Sequence, residues 1–310
     1  MKMAKLIVST TLIFTIAAFP DVGYVNRHLS SLIQFSQQRQ ATLLVYDQLD
    51  QARGLSVISN GRVVDIPTEL RSFAKPNSSQ ATPSLSPDGG QVAFVQSASG
   101  NGAAKQQEIW LFDVRKGEAK KIAQYPHALS VTWSPAGNAL AVNTGNGELR
   151  VLLLSSLQSK PIATEISSNV ASWSPDGRKI TYESASGRGD KLDFNVNVVD
   201  VGTGRAYKIA KGRYPSWSPH GDLIAYLDER KQRYLSISPG GGESTPLVKG
   251  GKKILGDLIL SGPVVWSPDE RYVVITGYYD GGTSLTLVDL SNSKKTILNQ
   301  GGYWLLATWK

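Results

Sequence analysis

The chain has 310 residues and a net charge of +8, from 33 Lys and Arg against 25 Asp and Glu, and it contains no cysteine. Disulfides, thiolate metal sites and a cysteine nucleophile are therefore excluded. None of its three histidines has the H-E-x-x-H spacing of a zinc hydrolase, and the sequence has no G-x-S-x-G nucleophile elbow and no phosphate-binding loop.

The N-terminal segment, residues 1–20, has the form of a secretory signal. Lys2 and Lys5 precede an apolar run over 6–19, which is a charged region followed by a hydrophobic one. This run is shorter than the roughly 20 residues that a membrane span needs. Cleavage near 17–18 and an uncleaved N-terminal anchor both remain open. Either predicts an exported protein, periplasmic or membrane-anchored and facing outside the cytoplasm.

Residues 21–42 follow as a spacer with a helical pattern. The positions at helical spacing are Val25, Leu29, Leu32, Ile33 and Ser36. A juxtamembrane or partner-binding helix is the alternative interpretation.

Five copies of one motif then organise the chain. They are LSPDGGQVAF (85–94), WSPAGNALAV (133–142), WSPDGRKITY (173–182), WSPHGDLIAY (217–226) and WSPDERYVVI (266–275). Their Ser-Pro pairs begin at 86, 134, 174, 218 and 267, so the spacings are 48, 40, 44 and 49 residues. A period of about 40–50 residues is typical of a propeller or solenoid.

Each copy predicts a β-hairpin. Ser-Pro-Asp-Gly suits a tight turn, because proline presets φ and the serine side chain can bond the backbone. An alternating apolar run follows, such as Ile180 and Tyr182 in the third copy, and this is the pattern of a half-buried strand. We interpret these residues as builders of the fold rather than as groups that do chemistry.

Two more strands follow the hairpin, for example EIWLFDV (108–114) and AKKIAQ (119–124) around a Lys-Gly turn. Four antiparallel strands per period, here named a to d, form a propeller blade. Residues 43–67 supply strands b, c and d without a strand a, and 301–310 supply a strand a without a partner. The sequence therefore predicts an all-β, six-bladed propeller over 43–310, closed by pairing of the N- and C-terminal strands.

The motif WSPDGRKITY, followed by a strand that ends in Asp200, resembles the propeller repeat of the TolB-like family, which belongs to the WD-type propellers. The resemblance covers roughly residues 43–310. It does not extend to the α/β domain that precedes the propeller in TolB. It implies a protein of the bacterial cell envelope.

Two propeller enzyme classes do not match the sequence. Sialidases repeat Ser-x-Asp-x-Gly, whereas here glycine follows aspartate directly, and propeller lyases hold a metal with several histidines. Pairs such as Asp190/Asp193 and Asp228/Glu229 could in principle serve acid–base chemistry, but charged loop pairs are typical of solvated surface. We therefore predict no catalytic residue, no metal and no cofactor.

The predicted binding surface is the face shared by the b–c and d–a loops, which we call the rim. It collects the variable insertions, basic residues and tyrosines, and binding residues concentrate on such loops. The candidate partner-binding residues are Lys105, Arg188, Lys191, Arg213, Tyr214, Lys252, Lys253, Tyr278 and Tyr279. The alternative is that these cations only solubilise, since any face of a chain at +8 is basic.

The sequence thus predicts a non-enzymatic, exported scaffold of the cell envelope that binds a protein partner through its rim, and the basic rim favours an acidic one. We expect a monomer that does not bind nucleic acid, since no nucleic-acid module is recognised. A propeller enzyme or binder acting on a carbohydrate or peptide at the central channel is the alternative.

Overall fold

The computed structural model describes residues 22–47, 55–65, 83–97, 106–187, 192–228, 231, 233–247, 259–260, 262–279, 282–300 and 304–309. These residues form six antiparallel sheets arranged as a six-bladed β-propeller, which confirms the predicted fold class. The predicted export signal at 1–20 lies outside the described residues. Among the helices that are described, none is both long and apolar enough to cross a bilayer.

The chain begins with helix α1 (Val22–Arg39), β1 (Thr42–Asp47), β2 (Leu55–Ser59) and β3 (Arg62–Asp65). Blade 1 contains β4 (Ser84–Leu85), β5 (Gln91–Ser97), β6 (Gln107–Asp113) and β7 (Glu118–Tyr125). Blade 2 contains β8 (Ala128–Trp133), β9 (Ala139–Thr144), β10 (Glu148–Leu153) and β11 (Ser159–Ala163). Blade 3 contains β12 (Ile166–Trp173), β13 (Lys179–Ser186), β14 (Asp193–Asp200) and β15 (Ala206–Lys211).

Blade 4 contains β16 (Arg213–Trp217), β17 (Ile224–Asp228), β18 (Arg233–Ile237) and β19 (Thr245–Pro246). In blade 5, β20 (Ile259–Leu260) and β21 (Val265–Trp266) both pair with β22 (Tyr272–Tyr279), which is followed by β23 (Gly282–Asp289) and β24 (Lys295–Gln300). The last strand is β25 (Trp304–Trp309). Strand a of blade 5 is thus built from two short pieces.

The ring closes as the sequence predicts. Strand β25 pairs antiparallel with β1, with Leu43 opposite Trp309, and the strand order of blade 6 is β25-β1-β2-β3. Both ends of the propeller therefore share one sheet, and β1 is paired on both sides, with β25 and with β2.

Neighbouring blades are joined along their inner strands. A tryptophan precedes four of the five Ser-Pro pairs; each is buried and packs on strands of the preceding blade, as Trp133 does on Ala93 and Ile109. Side chains also bond across the seams: the Trp133 N–H donates to Ser84 Oγ at 3.1 Å, and the Trp217 N–H donates to Ser172 Oγ at 2.9 Å. The repeated tryptophan is therefore an inter-blade contact.

The Ser-Pro turn explains the repeated letters. In all five copies the serine is buried, and its Oγ accepts the N–H of the residue five positions later, at 2.8 to 3.2 Å. In three copies the same hydroxyl donates to the turn aspartate, Asp88, Asp176 or Asp269, at 2.5 to 2.6 Å. This hydroxyl lowers the pKa of each aspartate below its ordinary value, so the carboxylate stays ionised. The turn is thus stabilised by hydrogen bonds between its own residues.

Helix α1 packs on the propeller at the junction of blades 5 and 6. Leu32 and Phe35 are buried in the same cluster as Leu43, Val274 and Trp309. The rings of Phe35 and Trp309 meet edge to face, with centroids 5.0 Å apart. The C-terminal half of the predicted helical segment is therefore part of the propeller core.

The turn between β2 and β3 anchors the helix end. The Ser36 hydroxyl donates to the Ala41 carbonyl at 2.6 Å and accepts the Gly61 N–H at 3.2 Å. Gly61 has a φ of +78°, and a Cβ placed there would lie 2.7 Å from Gln37 Cβ. Only glycine suits both the backbone conformation and the close approach.

We expect Gly61→Ala to lower the free energy of unfolding by about 2–3 kcal/mol, since it adds a clash with the helix to an unfavourable φ. Gly117→Ala is the matched control, because Gly117 has a φ of +71° with nothing within 4 Å of the added Cβ; its expected cost is about 1 kcal/mol. Urea unfolding measures both. Equal losses in the two variants would mean that the helix contact contributes nothing.

Candidate functional site

The structure places only part of the predicted rim. Lys105, Arg188, Lys191, Lys252 and Lys253 lie outside the described residues. Tyr279 ends β22, but its side chain is not among those described. Arg213, Tyr214 and Tyr278 are described: the first two open β16 at the seam between blades 3 and 4, and Tyr278 lies in blade 5, opposite Ile259 and Thr283.

A close approach of the backbone positions Arg213. The preceding residue, Gly212, has a φ of +153°, and a Cβ there would lie 2.8 Å from the Leu227 carbonyl oxygen. The Gly212 N–H donates to the Phe194 carbonyl at 2.9 Å. The d–a connection is thus pressed against both blades, and the next side chain enters the seam.

Glu183 is the partner that Arg213 meets there. This carboxylate, on β13, has no solvent exposure. The Arg213 Nε lies 3.1 Å from Glu183 Oε1, and the side chain of Arg213 is 22% exposed. The Tyr214 N–H donates to Glu183 Oε2 at 3.0 Å, and the Ser167 hydroxyl donates to Oε1 at 3.2 Å. Both carboxylate oxygens therefore have donors from the protein.

Two aromatic rings hold the guanidinium in place. Arg213 Cζ lies 4.0 Å from the ring centroid of Phe194 and 4.7 Å from that of Tyr214. Arginine is suited to such a site because its planar group stacks on rings while it donates to a carboxylate. We call Glu183, Arg213, Tyr214, Phe194 and Ser167 the seam cluster.

Burial dominates the electrostatics of the seam cluster. It raises the pKa of Glu183, while the positive charge of Arg213 and the Tyr214 N–H act in the opposite direction. Because its donors are all in place and water is excluded, Glu183 has no open position for a substrate. The arrangement is suited to locking two blades together rather than to acid–base chemistry.

This geometry gives Arg213 a different role from the predicted one. Its charge is directed at a buried carboxylate, and the nearby Lys211 pairs with Asp193 at 3.3 Å. The described part of this seam therefore has little unbalanced positive charge. The basic character predicted for the rim depends on the five Lys and Arg candidates outside the described residues.

Sequence reasoning missed the acidic half of the seam cluster. Glu183 and Arg213 are 30 residues apart and belong to different blades, so no local pattern connects them. The available signal was a lone acid, Glu183, within the apolar strand after a Ser-Pro turn.

A second concave region lies on the opposite face, beside the end of helix α1. This cleft of about 310 Å³ is lined in part by Arg39, Arg271, Tyr272 and Asp289. Arg271 pairs with Asp289 at 3.1 Å, and Arg39 Cζ lies 4.2 Å from the Tyr272 ring centroid. These charged groups are engaged with each other or with a ring. Among the described residues, no cluster of three or more His, Asp or Glu side chains could hold a metal ion.

Comparisons with known proteins agree with this architecture. The chain is 27% identical over 192 residues to the Tol-Pal system protein TolB of Francisella tularensis subsp. tularensis, a match that covers 58% of this chain and 41% of that protein. It is 25% identical over 145 residues to dipeptidyl-peptidase 5 of Porphyromonas gingivalis, covering 42% and 20%. The matches thus span less than half the length of these curated relatives.

Solved structures share the fold at low sequence identity. TolB from Acinetobacter baumannii superposes with a TM-score of 0.61 at 17% identity, covering 86% of this chain and 66% of that one. An oligogalacturonate lyase in complex with manganese gives 0.54 at 15% identity, covering 69% and 63%. At such identities the likeness concerns the fold alone.

The family comparison covers most of the chain. The model of the TolB beta propeller domain matches residues 62–309, which include the five Ser-Pro repeats and the closing strand. The chain belongs to the TolB beta propeller domain family.

Proposed function

We propose that this chain is an exported, non-enzymatic platform of the cell envelope that binds a protein partner through its rim. The observation that carries the proposal is the seam cluster. The seam cluster holds the backbone in place at the strand ends where the rim loops begin. Variable loops on such a rigid scaffold are where binding residues concentrate.

Family membership supports the same proposal. The curated relatives with the larger overlap are named Tol-Pal system protein TolB, and a role in an envelope protein assembly agrees with the signal-like segment at 1–20. An oligogalacturonate lyase in complex with manganese shares the fold, but among the described residues of this chain no cluster of three or more His, Asp or Glu side chains could hold a metal ion, and Glu183 is enclosed.

Charge supplies the expected mode of binding. The chain is at +8, and two adjacent rim candidates, Lys252 and Lys253, lie in the insertion between blades 4 and 5. A basic surface attracts an acidic partner over a distance of about 8 Å at physiological salt and mainly increases the association rate.

The test is cross-linked affinity capture of the tagged full chain from its native cells, followed by mass spectrometry. We expect one dominant partner for the native chain and its loss in the double variant Lys252→Glu/Lys253→Glu. The matched control is Arg115→Glu/Lys116→Glu, which makes the same charge change at an exposed c–d turn on the opposite face and should keep the partner.

Capture that is unaffected by Lys252→Glu/Lys253→Glu would contradict the proposed rim. Repeated capture without any protein partner would contradict the platform as a whole. It would direct attention to carbohydrate and peptide ligands at the central channel.

A further inference from the structure

One five-residue turn joins strands c and d in four blades. It spans 113–117, 153–157, 200–204 and 289–293, and in each case the N–H of the fifth residue donates to the carbonyl of the first, at 2.7 to 2.9 Å. In each of these blades the second residue of the turn also donates its N–H to the carbonyl of the residue four positions after the motif serine, as Leu154 does to Asn138 and Val201 to Arg178. The four turns are therefore equivalent in register.

Three of the four turns use the residues that this geometry favours. Their first position is Asp113, Asp200 or Asp289, and its carboxylate accepts backbone N–H groups within the turn at 2.8 to 3.0 Å. Their fifth position is Gly117, Gly204 or Ser293, with φ between +61° and +72°. Small residues tolerate that left-handed conformation best.

Blade 2 breaks both rules. Its first position is Leu153, which cannot accept an N–H, and its fifth is Leu157, which is held at a φ of +56°. Each leucine is 45% exposed. A branched apolar residue with positive φ is uncommon, and neither position needs an apolar side chain in the other blades.

Core packing does not explain the exception. The flanking residues Leu152 and Leu154 belong to or pack against the apolar cluster of blades 1 and 2, so by strand alternation Leu153 faces outward. Two leucines in unfavourable turn positions, both half in solvent, are a local conflict between sequence and structure. Such conflicts concentrate at functional sites.

We infer that the turn Leu153–Leu157 is an apolar anchor point for a short segment of a partner protein that presents a large apolar side chain beside acidic residues. It lies on the face opposite the rim and does not depend on the rim proposal. We call it the leucine turn.

Charge and area select this occupant. Residues 153–163, which form the turn and the strand after it, include Lys160 and no Asp or Glu, since the usual turn aspartate is absent. The other cation of this blade region, Arg150, is already paired with Glu148 at 2.9 Å. Lys160 is exposed, and its Nζ lies 3.5 Å from the Gly202 carbonyl oxygen, so an acidic neighbour of the anchor would meet a cation there. Two half-exposed leucines fall far short of the roughly 800 Å² per partner that a stable dimer buries, which favours a short segment over a second copy of this chain.

The test uses the residues of the other blades. In Leu153→Asp/Leu157→Gly the melting temperature should stay the same or rise, by up to about 4 °C, because the variant restores the favoured turn. A random dodecapeptide library displayed on phage is panned on the purified full chain, with this variant in solution as competitor. Enriched peptides are then synthesised and their Kd values are measured by fluorescence polarisation.

We expect peptides that combine a large apolar residue with nearby Asp or Glu. Their Kd should rise at least tenfold with Leu153→Asp/Leu157→Gly and severalfold with Lys160→Glu. The control Ile297→Thr, which removes a 53% exposed apolar side chain on β24, should leave it unchanged.

Three outcomes would overturn the inference. Peptides that bind the native chain and the double variant equally would show that the leucine turn is not their site. A melting temperature that falls by more than about 4 °C would show that the leucines serve packing. A dimer in sedimentation velocity that the double variant abolishes would assign the turn to a second copy of the chain.

Discussion

Replacing Arg213 by alanine is expected to lower the free energy of unfolding by about 3–5 kcal/mol at pH 7, because it leaves the buried Glu183 carboxylate without its counter-ion. Glu183 has no solvent exposure, so water cannot take over the role of the guanidinium. Chemical unfolding followed by tryptophan fluorescence measures this loss.

The same variant has a predicted pH dependence. Burial already raises the pKa of Glu183 above its ordinary value of 4.5, and removing Arg213 raises it further. The folded state then takes up a proton at a higher pH than the unfolded chain does. Protonation of Glu183 therefore stabilises the folded variant. This stabilisation is complete below about pH 4.5 and is lost as the pH rises through the folded pKa of Glu183. The deficit of Arg213→Ala should therefore shrink as the pH falls from 7 toward 4.5.

Two further variants isolate the buried charge as the cause. Arg213→Ala/Glu183→Gln should recover most of the loss at pH 7, since the neutral amide oxygen still accepts the Tyr214 N–H. Lys211→Ala, which removes an exposed ion pair at the same seam, should change stability by less than about 1 kcal/mol. A loss below about 1 kcal/mol in Arg213→Ala would contradict the role given to the seam cluster.

Replacing Trp309 by alanine is expected to cost about 3–5 kcal/mol, the usual range for removing a buried large aromatic side chain. Trp309 is 8% exposed and lies in a cluster that unites the helix, blade 6 and blade 5. Its ring contacts Phe35 and stacks on Tyr272, with centroids 6.3 Å apart. Removing it therefore weakens the closure of the ring and the docking of the helix together.

Hydrogen exchange distinguishes weakened ring closure from a defect confined to the site of Trp309. In Trp309→Ala the amides of β1 and of the helix should lose protection before those of blades 2 and 3, because exchange follows the least stable cooperative unit. Trp309→Phe, which keeps an aromatic ring, should lose less than half as much stability. Uniform loss of protection across all blades would contradict the view that the closing blade and the helix can open while the other blades stay folded.

The blades could be predicted because their determinants are local. Each Ser-Pro copy contains its own turn, and Ser174 bonds only residues within five positions of itself. A repeat that specifies its own hairpin can be counted in the sequence. The complementary strands within 43–67 and 301–310 then predicted the closure, which the structure forms with Leu43 opposite Trp309.

Contacts between distant segments could not be predicted in the same way. The helical pattern identified Leu32 and Ser36 as one side of a helix, but nothing in it indicates the surface on which that side packs. Arg213 was selected as a loop cation, whereas it is directed at Glu183 on the neighbouring blade. The leucine turn became visible only when the four c–d turns could be placed in register, since Leu153 and Leu157 continue an apolar run in the sequence.

The central claim is that the rim binds an acidic protein partner, and the dissociation constant of the captured partner tests it most directly. It would be measured at 50 and 200 mM salt for the native chain, for Lys252→Glu/Lys253→Glu and for Arg115→Glu/Lys116→Glu. We predict an affinity about tenfold weaker, with a shallower salt dependence, in the rim variant alone. Equal affinities and equal salt slopes in all three proteins would contradict the claim.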